Sequence, residues 1–254
     1  MLEEGAWEQI NKYKNMKIGR GTIPCPYYMN VAKRSVMSML REVQVPEDAI
    51  DKFSSLWRMG KTGFGRHQGK GTPEEIIEAT REITGRIGLP VDRAYPEIVV
   101  EIMKHIGLGI DCSGLVFNVL SFAFDKEGRN EELLNCLDWS EPDKRSASRA
   151  GVTVFAGKAS ETIDPSEARS LDLILTKGTS GKYNHIALIL QKADGDYDVV
   201  QSTLLALPTG VNVSGMIIVN GKPEFGYKPG VGTTWEEKYA GGTLEFRRLA
   251  VLSH

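Results

Sequence analysis

The chain has 254 residues, 41% of them hydrophobic, which is enough to bury a full core in one large domain. Its 31 Lys and Arg against 33 Asp and Glu nearly cancel, which argues against a nucleic-acid footprint, a polybasic membrane anchor and an acidic tail. Met1 leads into Leu2-Glu3-Glu4-Gly5-Ala6-Trp7, with neither the basic start nor the apolar core of a secretory signal, and no stretch approaches the roughly 20 apolar residues of a membrane span. A cytoplasmic location is the default expectation. The three cysteines, Cys25, Cys112 and Cys136, are widely spaced and odd in number. That speaks against a disulfide framework and against a paired-cysteine metal or redox site, and no metal site is expected.

In chain order, the first hundred residues read mostly as helices. Val31 to Val43 and Pro46 to Met59 carry helix formers with apolar positions three and four apart. The loop Gly63 to Thr72 invites a phosphate-binding reading, but Gly71 follows Lys70 where Ser or Thr is required and no strand precedes it. It is read as a connector bordering a cleft. Thr72-Pro73-Glu74-Glu75 is a helix start, with Thr72 as cap, Pro73 in the first turn and Glu75 completing a capping box. Tyr95 to His105 is predicted as a further helix, presenting Val99, Ile102, Met103 and Ile106 on one face.

Gly109-Ile110-Asp111-Cys112-Ser113-Gly114-Leu115-Val116 then sets a cysteine where an apolar helix begins. Unpaired N–H groups and the partial positive charge of a helix start favour thiolate over thiol, which makes Cys112 a candidate nucleophile. Asp111 reads as a turn or cap residue. A polar segment of about 125–170 follows, with a short helix near Glu131 to Leu137 and a strand predicted at Val152 to Phe155; it is read as an insertion. From Leu171 the pattern is β: Leu171 to Leu175, Ile186 to Gln191, Tyr197 to Thr203, Val211 to Val219 and Leu244 to Val251. Asp194-Gly195 and Asn220-Gly221 suit hairpin turns. Helices followed by an antiparallel meander make an α+β fold, divided into a helical extension over 1–94 and a core over 95–254.

His185 opens one of these strands, and Gln201 lies on the next. Cysteine, histidine and amide follow in the order of a papain-type site. A register slip of one residue reverses the face a strand presents, so Ser202 and Thr203 stand beside Gln201 as candidates for orienting the imidazole. Asp172 reads as structural. His67, His105 and His254 lack the strand context. Cys25 and Cys136 read as structural thiols. The tryptophans read as core or rim, with Trp139 and Trp235 placed to line a groove.

These residues resemble the NlpC-type cell-wall peptidases, which are papain-like cysteine enzymes. The resemblance rests on Asp111-Cys112-Ser113-Gly114-Leu115-Val116, Leu171-Asp172-Leu173-Ile174, His185-Ile186-Ala187-Leu188-Ile189-Leu190 and Val200-Gln201-Ser202, and covers about Gly107 to Val119 and Ser170 to Thr203. It implies a papain-like fold, Cys112 as nucleophile, His185 as base, Gln201 as its orienting partner, and cleavage of peptide or isopeptide bonds in peptidoglycan stem peptides or related fragments without a cofactor. Members usually carry a tyrosine and a Gly-Gly pair shortly before the cysteine, where this chain has Ile106-Gly107-Leu108-Gly109-Ile110. Tyr27 and Tyr28 are the candidate replacements at the oxyanion site, beside the backbone of Cys112 or Ser113. Two other readings stand against the peptidase: an acyltransferase or thioester hydrolase on a related fold, and a binding module that keeps the fold without chemistry. No nucleic-acid partner is expected, and oligomeric state is left open.

Overall fold

The computed structural model describes residues 1–28, 69–86, 91–205, 209–227 and 232–253, with isolated positions 38, 41, 47, 48, 50, 51, 88 and 229. Most of the helices expected over Val31 to Val43 and Pro46 to Met59, and the loop before Gly69, lie outside the described residues. Helix α1 spans Leu2–Lys14, and a small hairpin pairs β1 (Met16–Ile18) with β2 (Gly21–Ile23). Helices α2 (Pro73–Arg86) and α3 (Pro96–His105) follow. The capping box at Thr72 forms: Glu75 N–H donates to Thr72 Oγ1 at 3.3 Å and Thr72 N–H to Glu75 Oε2 at 2.8 Å.

Helix α4, Cys112–Lys126, is buried without a break from Cys112 to Leu120. A helix apolar on every side must be wrapped by other elements. Helix α1 covers one flank, and the sheet covers another. Residues from α1, the β1–β2 hairpin, α2 and α3 share one buried cluster with α4 and with the near face of the sheet.

After the short helix α5 (Asn130–Cys136) comes a seven-stranded antiparallel sheet with β3 at Ser160–Ile163, β4 at Leu173–Lys177, β5 at Tyr183–Gln191 and β6 at Tyr197–Thr203. Strands β7 (Gly210–Val219), β8 (Lys222–Phe225) and β9 (Leu244–Leu249) complete it, in the order β3-β9-β4-β5-β6-β7-β8. The meander runs from β4 to β8, and β9 returns to pair with β4. In β5, Ile186, Leu188 and Leu190 face α4, while Ala187 and Ile189 enter a second cluster on the far face. That far cluster is closed by helix α6 (Trp235–Ala240), whose Trp235 meets Phe225 and Tyr227 edge-on. The mixed α+β expectation therefore holds.

The Asn220-Gly221 turn forms as expected, whereas Asp194-Gly195 lies in a longer loop between paired Gln191 and Tyr197. Asn220 and Gly221 both take positive φ, 51° and 74°, as a tight turn between paired Val219 and Lys222 demands. The strand expected at Val152 to Phe155 is instead a single 3-10 turn. Its consecutive Val154 and Phe155 are both buried, which an alternating edge strand cannot achieve; the edge is taken by Ser160–Ile163. Leu171 lies outside its expected strand, at a φ of 72°. No helix among the described residues is long and apolar enough to cross a membrane.

Asp172 is structural. Fully buried before β4, its carboxylate accepts from Arg248 Nε at 2.9 Å and Nη2 at 2.7 Å, and from the Arg169 N–H at 2.8 Å. Removing one member of a buried pair strands the other charge. Arg248→Leu is therefore expected to cost about 3 kcal/mol of unfolding free energy, read by urea denaturation, with the double change to Arg248→Leu and Asp172→Asn recovering much of the loss.

Candidate active site

The start of α4 is assembled by backbone hydrogen bonds from three distant segments. The Ile110 N–H donates to the Pro26 carbonyl at 3.0 Å, and the Ile110 carbonyl accepts from Tyr28 N–H at 3.1 Å and from Ser202 Oγ at 2.7 Å. Tyr27 and Ile110 form a parallel β-bridge. Gly109 lets this happen, because a Cβ there would lie 2.3 Å from the Pro26 carbonyl oxygen. The Gly69-Lys70-Gly71 strap then crosses the helix start, and a Cβ on Gly114 would sit 2.1 Å from the Gly69 carbonyl oxygen.

A helix start leaves its first N–H groups without intrahelical acceptors. Here Asp111 N–H donates to Gly69 O at 2.9 Å, Gly114 N–H donates to the Asp111 side chain at 2.6 Å, and Ser113 N–H is turned to the Cys112 sulfur. Among the described residues the Cys112 N–H is thus the one left over for an outside acceptor. The Ile186 N–H of β5 also points to the sulfur. The thiol therefore lies one peptide unit from His185.

His185 is partly exposed at the start of β5. Its Nε2 lies 2.8 Å from Gln201 Oε1, an acceptor, so Nε2 carries the ring proton and Nδ1 holds the lone pair. The edge of Trp235 packs on the ring at 6.0 Å between centroids. Register and the hydrogen bond together decide among the three candidates: Leu188 pairs with Val200 and Gln191 with Tyr197, which puts Gln201 and Thr203 on the face of His185, and Gln201 makes the contact. Ser202 faces the other way, onto Ile110. Thr203 is buried and supports the Tyr227 hydroxyl. No hydrogen bond joins Cys112 and His185 among the described residues; the sulfur meets β5 at Ile186, the residue after His185.

The electrostatics correct the expectation of a thiolate. Cys112 is 6% exposed, and burial, reinforced by the Asp111 carboxylate, pushes its pKa up to about 11 against the lowering by Lys70 and the two N–H groups. A helix start is worth about 0.3–1 kcal/mol to a nearby anion, whereas two pKa units correspond to about 3 kcal/mol, so desolvation wins. Burial likewise lowers His185 to about 4, against the raising effect of Gln201. At neutral pH the pair is thiol and neutral imidazole.

Tyr27, bridged to Ile110, lies beside Cys112 and Asp111. Its phenol is raised to about 12 by burial and by the neighbouring Cys112 and Asp111, so it stays protonated and able to donate. Tyr28 lies by Asp111 and Gly69. Asp111 is the N-cap. The Ser113 hydroxyl is drawn away from any oxyanion, accepting from Lys70 Nζ at 2.5 Å and donating to Asp111 Oδ1 at 3.2 Å. Trp139 is core, its Nε1 donating to Leu134 O at 2.7 Å. Lys70 and the Trp235 contact with His185 are parts of the site that the sequence reading did not assign; the glycines flanking Lys70 were the available signal of a close backbone approach. No cluster of metal-ligating side chains occurs among the described residues. A scan of family models, a search of curated proteins and a search of solved structures find no match to this chain.

The partly buried imidazole links stability to pH. With a folded pKa near 4 and an ordinary value of 6.5, the unfolded chain takes up a proton that the folded chain refuses between those values. Stability from this group is complete above pH 6.5 and falls as pH drops toward 4, by on the order of 3 kcal/mol. His185→Gln is expected to flatten the dependence of melting temperature on pH in that window and to leave it unchanged above pH 7.

Proposed function

We propose that the protein is a cysteine peptidase or amidase with a papain-like, NlpC-type site, cleaving peptide or isopeptide bonds of peptidoglycan stem peptides or related fragments. The observation that carries this reading is the His185–Gln201 hydrogen bond, which leaves the imidazole lone pair on Nδ1 beside the strand that receives the Cys112 sulfur. Support also comes from the Gln201 amide. It is 1% exposed, and its Nε2 has no partner among the described residues. A buried donor without an acceptor costs about 1–3 kcal/mol, so a sheet built for stability alone would place an aliphatic side chain there.

The chemistry follows from a neutral pair. Cys112 attacks the scissile carbonyl carbon as His185 takes the thiol proton, giving a tetrahedral oxyanion and an imidazolium. The Cys112 N–H and the Tyr27 hydroxyl are the donors for that oxyanion. Collapse expels the amine, which leaves with the proton returned by His185, and a thioester remains on Cys112. Water, deprotonated by His185, hydrolyses the thioester and restores the thiol.

One observation favours a second reading, a binding module without turnover: the thiol is buried and has no hydrogen bond to His185 among the described residues. Incubating the protein with stem peptides of defined linkage, and weighing the products, separates the two. Hydrolysis lost in Cys112→Ala supports the enzyme; no turnover of any peptide, with sluggish alkylation at all three cysteines, supports the module. In the enzyme, kcat/KM is expected to rise as pH passes about 4, where His185 loses its proton. Gln201→Leu is expected to lower kcat about 100-fold while the melting temperature holds or rises, since the stranded amide is gone.

A further inference from the structure

We propose that Lys70 is a positioning residue for the nucleophile, holding the start of α4 and cancelling the Asp111 charge beside the Cys112 thiol. The inference rests on Cys112 as the reactive group. Lys70 is buried, and its ammonium uses all of its donors: Asp111 Oδ1 at 2.8 Å, Ser113 Oγ at 2.5 Å and the Ala150 carbonyl at 3.0 Å. Its own carbonyl accepts from Asn118 Nδ2 at 2.9 Å, and the next residue, Gly71, accepts from Tyr13 at 2.8 Å. The strap is therefore fixed at both backbone and side chain.

A cation at a helix N-terminus opposes the helix dipole, and burying an ammonium is costly unless it is paired. A cap alone needs only the Asp111 carboxylate, which already accepts the Gly114 N–H. What the lysine adds is charge. The groups acting on the sulfur are the Asp111 carboxylate, which disfavours thiolate, and Lys70 with the Ile186 and Ser113 N–H groups, which favour it; Tyr27 is a neutral neighbour, and His185, one peptide unit from the Ile186 N–H, is neutral as well. Without Lys70, Asp111 would hold a full negative charge against the atom that must itself become negative during attack. Lys70 also ties the strap and the Ala150 segment to the nucleophile turn, so its charge is held where it acts.

The test follows iodoacetamide alkylation of Cys112 by mass spectrometry across pH 7 to 10, in the full chain carrying Cys25→Ala and Cys136→Ser. Lys70→Met is expected to slow alkylation about tenfold at each pH, a shift of one pKa unit, and the double change to Lys70→Met and Asp111→Asn to restore the rate to within threefold. Asp111→Asn alone, which keeps an N-capping side chain, is expected to speed alkylation severalfold by leaving Lys70 unopposed, and it decides the matter if Lys70→Met does not fold. A rate unchanged by Asp111→Asn, or a double variant as slow as Lys70→Met, overturns the proposal. Because alkylation needs no substrate, failure to cleave stem peptides leaves this result standing, and cleavage with a flat alkylation response overturns Lys70 alone.

Discussion

The site depends on the backbone of one residue, Ile110. Its N–H and carbonyl are shared among Pro26, Tyr28 and Ser202, so the segment after the β1–β2 hairpin, the end of β6 and the start of α4 are held at one point. A peptide group is present whatever the side chain, so the bonds to Pro26 and Tyr28 do not depend on which residue stands at position 110, while the third needs the Ser202 hydroxyl. The requirement falls on neighbours instead: Gly109 has to admit Pro26, and Gly114 has to admit Gly69. Residues 1–28 and 69–71 are in this sense parts of the site, supplying Tyr27 and Lys70, and they share a core with α4.

Burial and reactivity pull against each other at Cys112. The same packing that fixes the sulfur against β5 raises its pKa and lowers that of His185. Neutral groups in a largely buried site are cheap to hold. In the proposed mechanism charge develops on sulfur and imidazole together, where aligned N–H groups and Lys70 act with reduced screening by water, so a standing thiolate is replaced by one formed during attack.

What the sequence disclosed and what it hid follow from the range of the interactions involved. The cap at Asp111, the capping box at Thr72 and the Asn220-Gly221 turn are decided within four residues, and a local reading is enough. The Gln201 partnership was not decided by the Asp194-Gly195 dipeptide: a two-residue turn there would set Gln201 opposite Leu188, whereas Gln191 pairs with Tyr197 and Lys192 N–H donates to the Asp196 carbonyl, a longer loop that sets Gln201 on the face of His185. Lys70 was hidden because its partners lie 41, 43 and 80 residues away, and nothing in a glycine-flanked lysine names a carboxylate that distant. Val152 to Phe155 misled because β-branched residues suit a strand only where another strand lies alongside. Ser160–Ile163 found that neighbour in β9, despite the polar look of Ser160-Glu161-Thr162.

Strand alternation explains why this chemistry lies at the end of β5 rather than its middle. His185 shares the far face with Ala187, Ile189 and Gln201, while α4 presses on the near face. In mid-strand a sulfur on one face and an imidazole on the other would be separated by the sheet itself. At the leading end, after the irregular pairing at Thr176 and Lys177, the sulfur meets the Ile186 N–H, one peptide unit from the ring that Trp235 backs. In the proposed mechanism the proton passes between Cys112 and His185 at this end of the strand, with Gln201 holding the far nitrogen. A one-residue slip of β5 would exchange the faces and move the imidazole into the core beneath α4, so the register set by the β5–β6 loop is as necessary to the site as the cysteine.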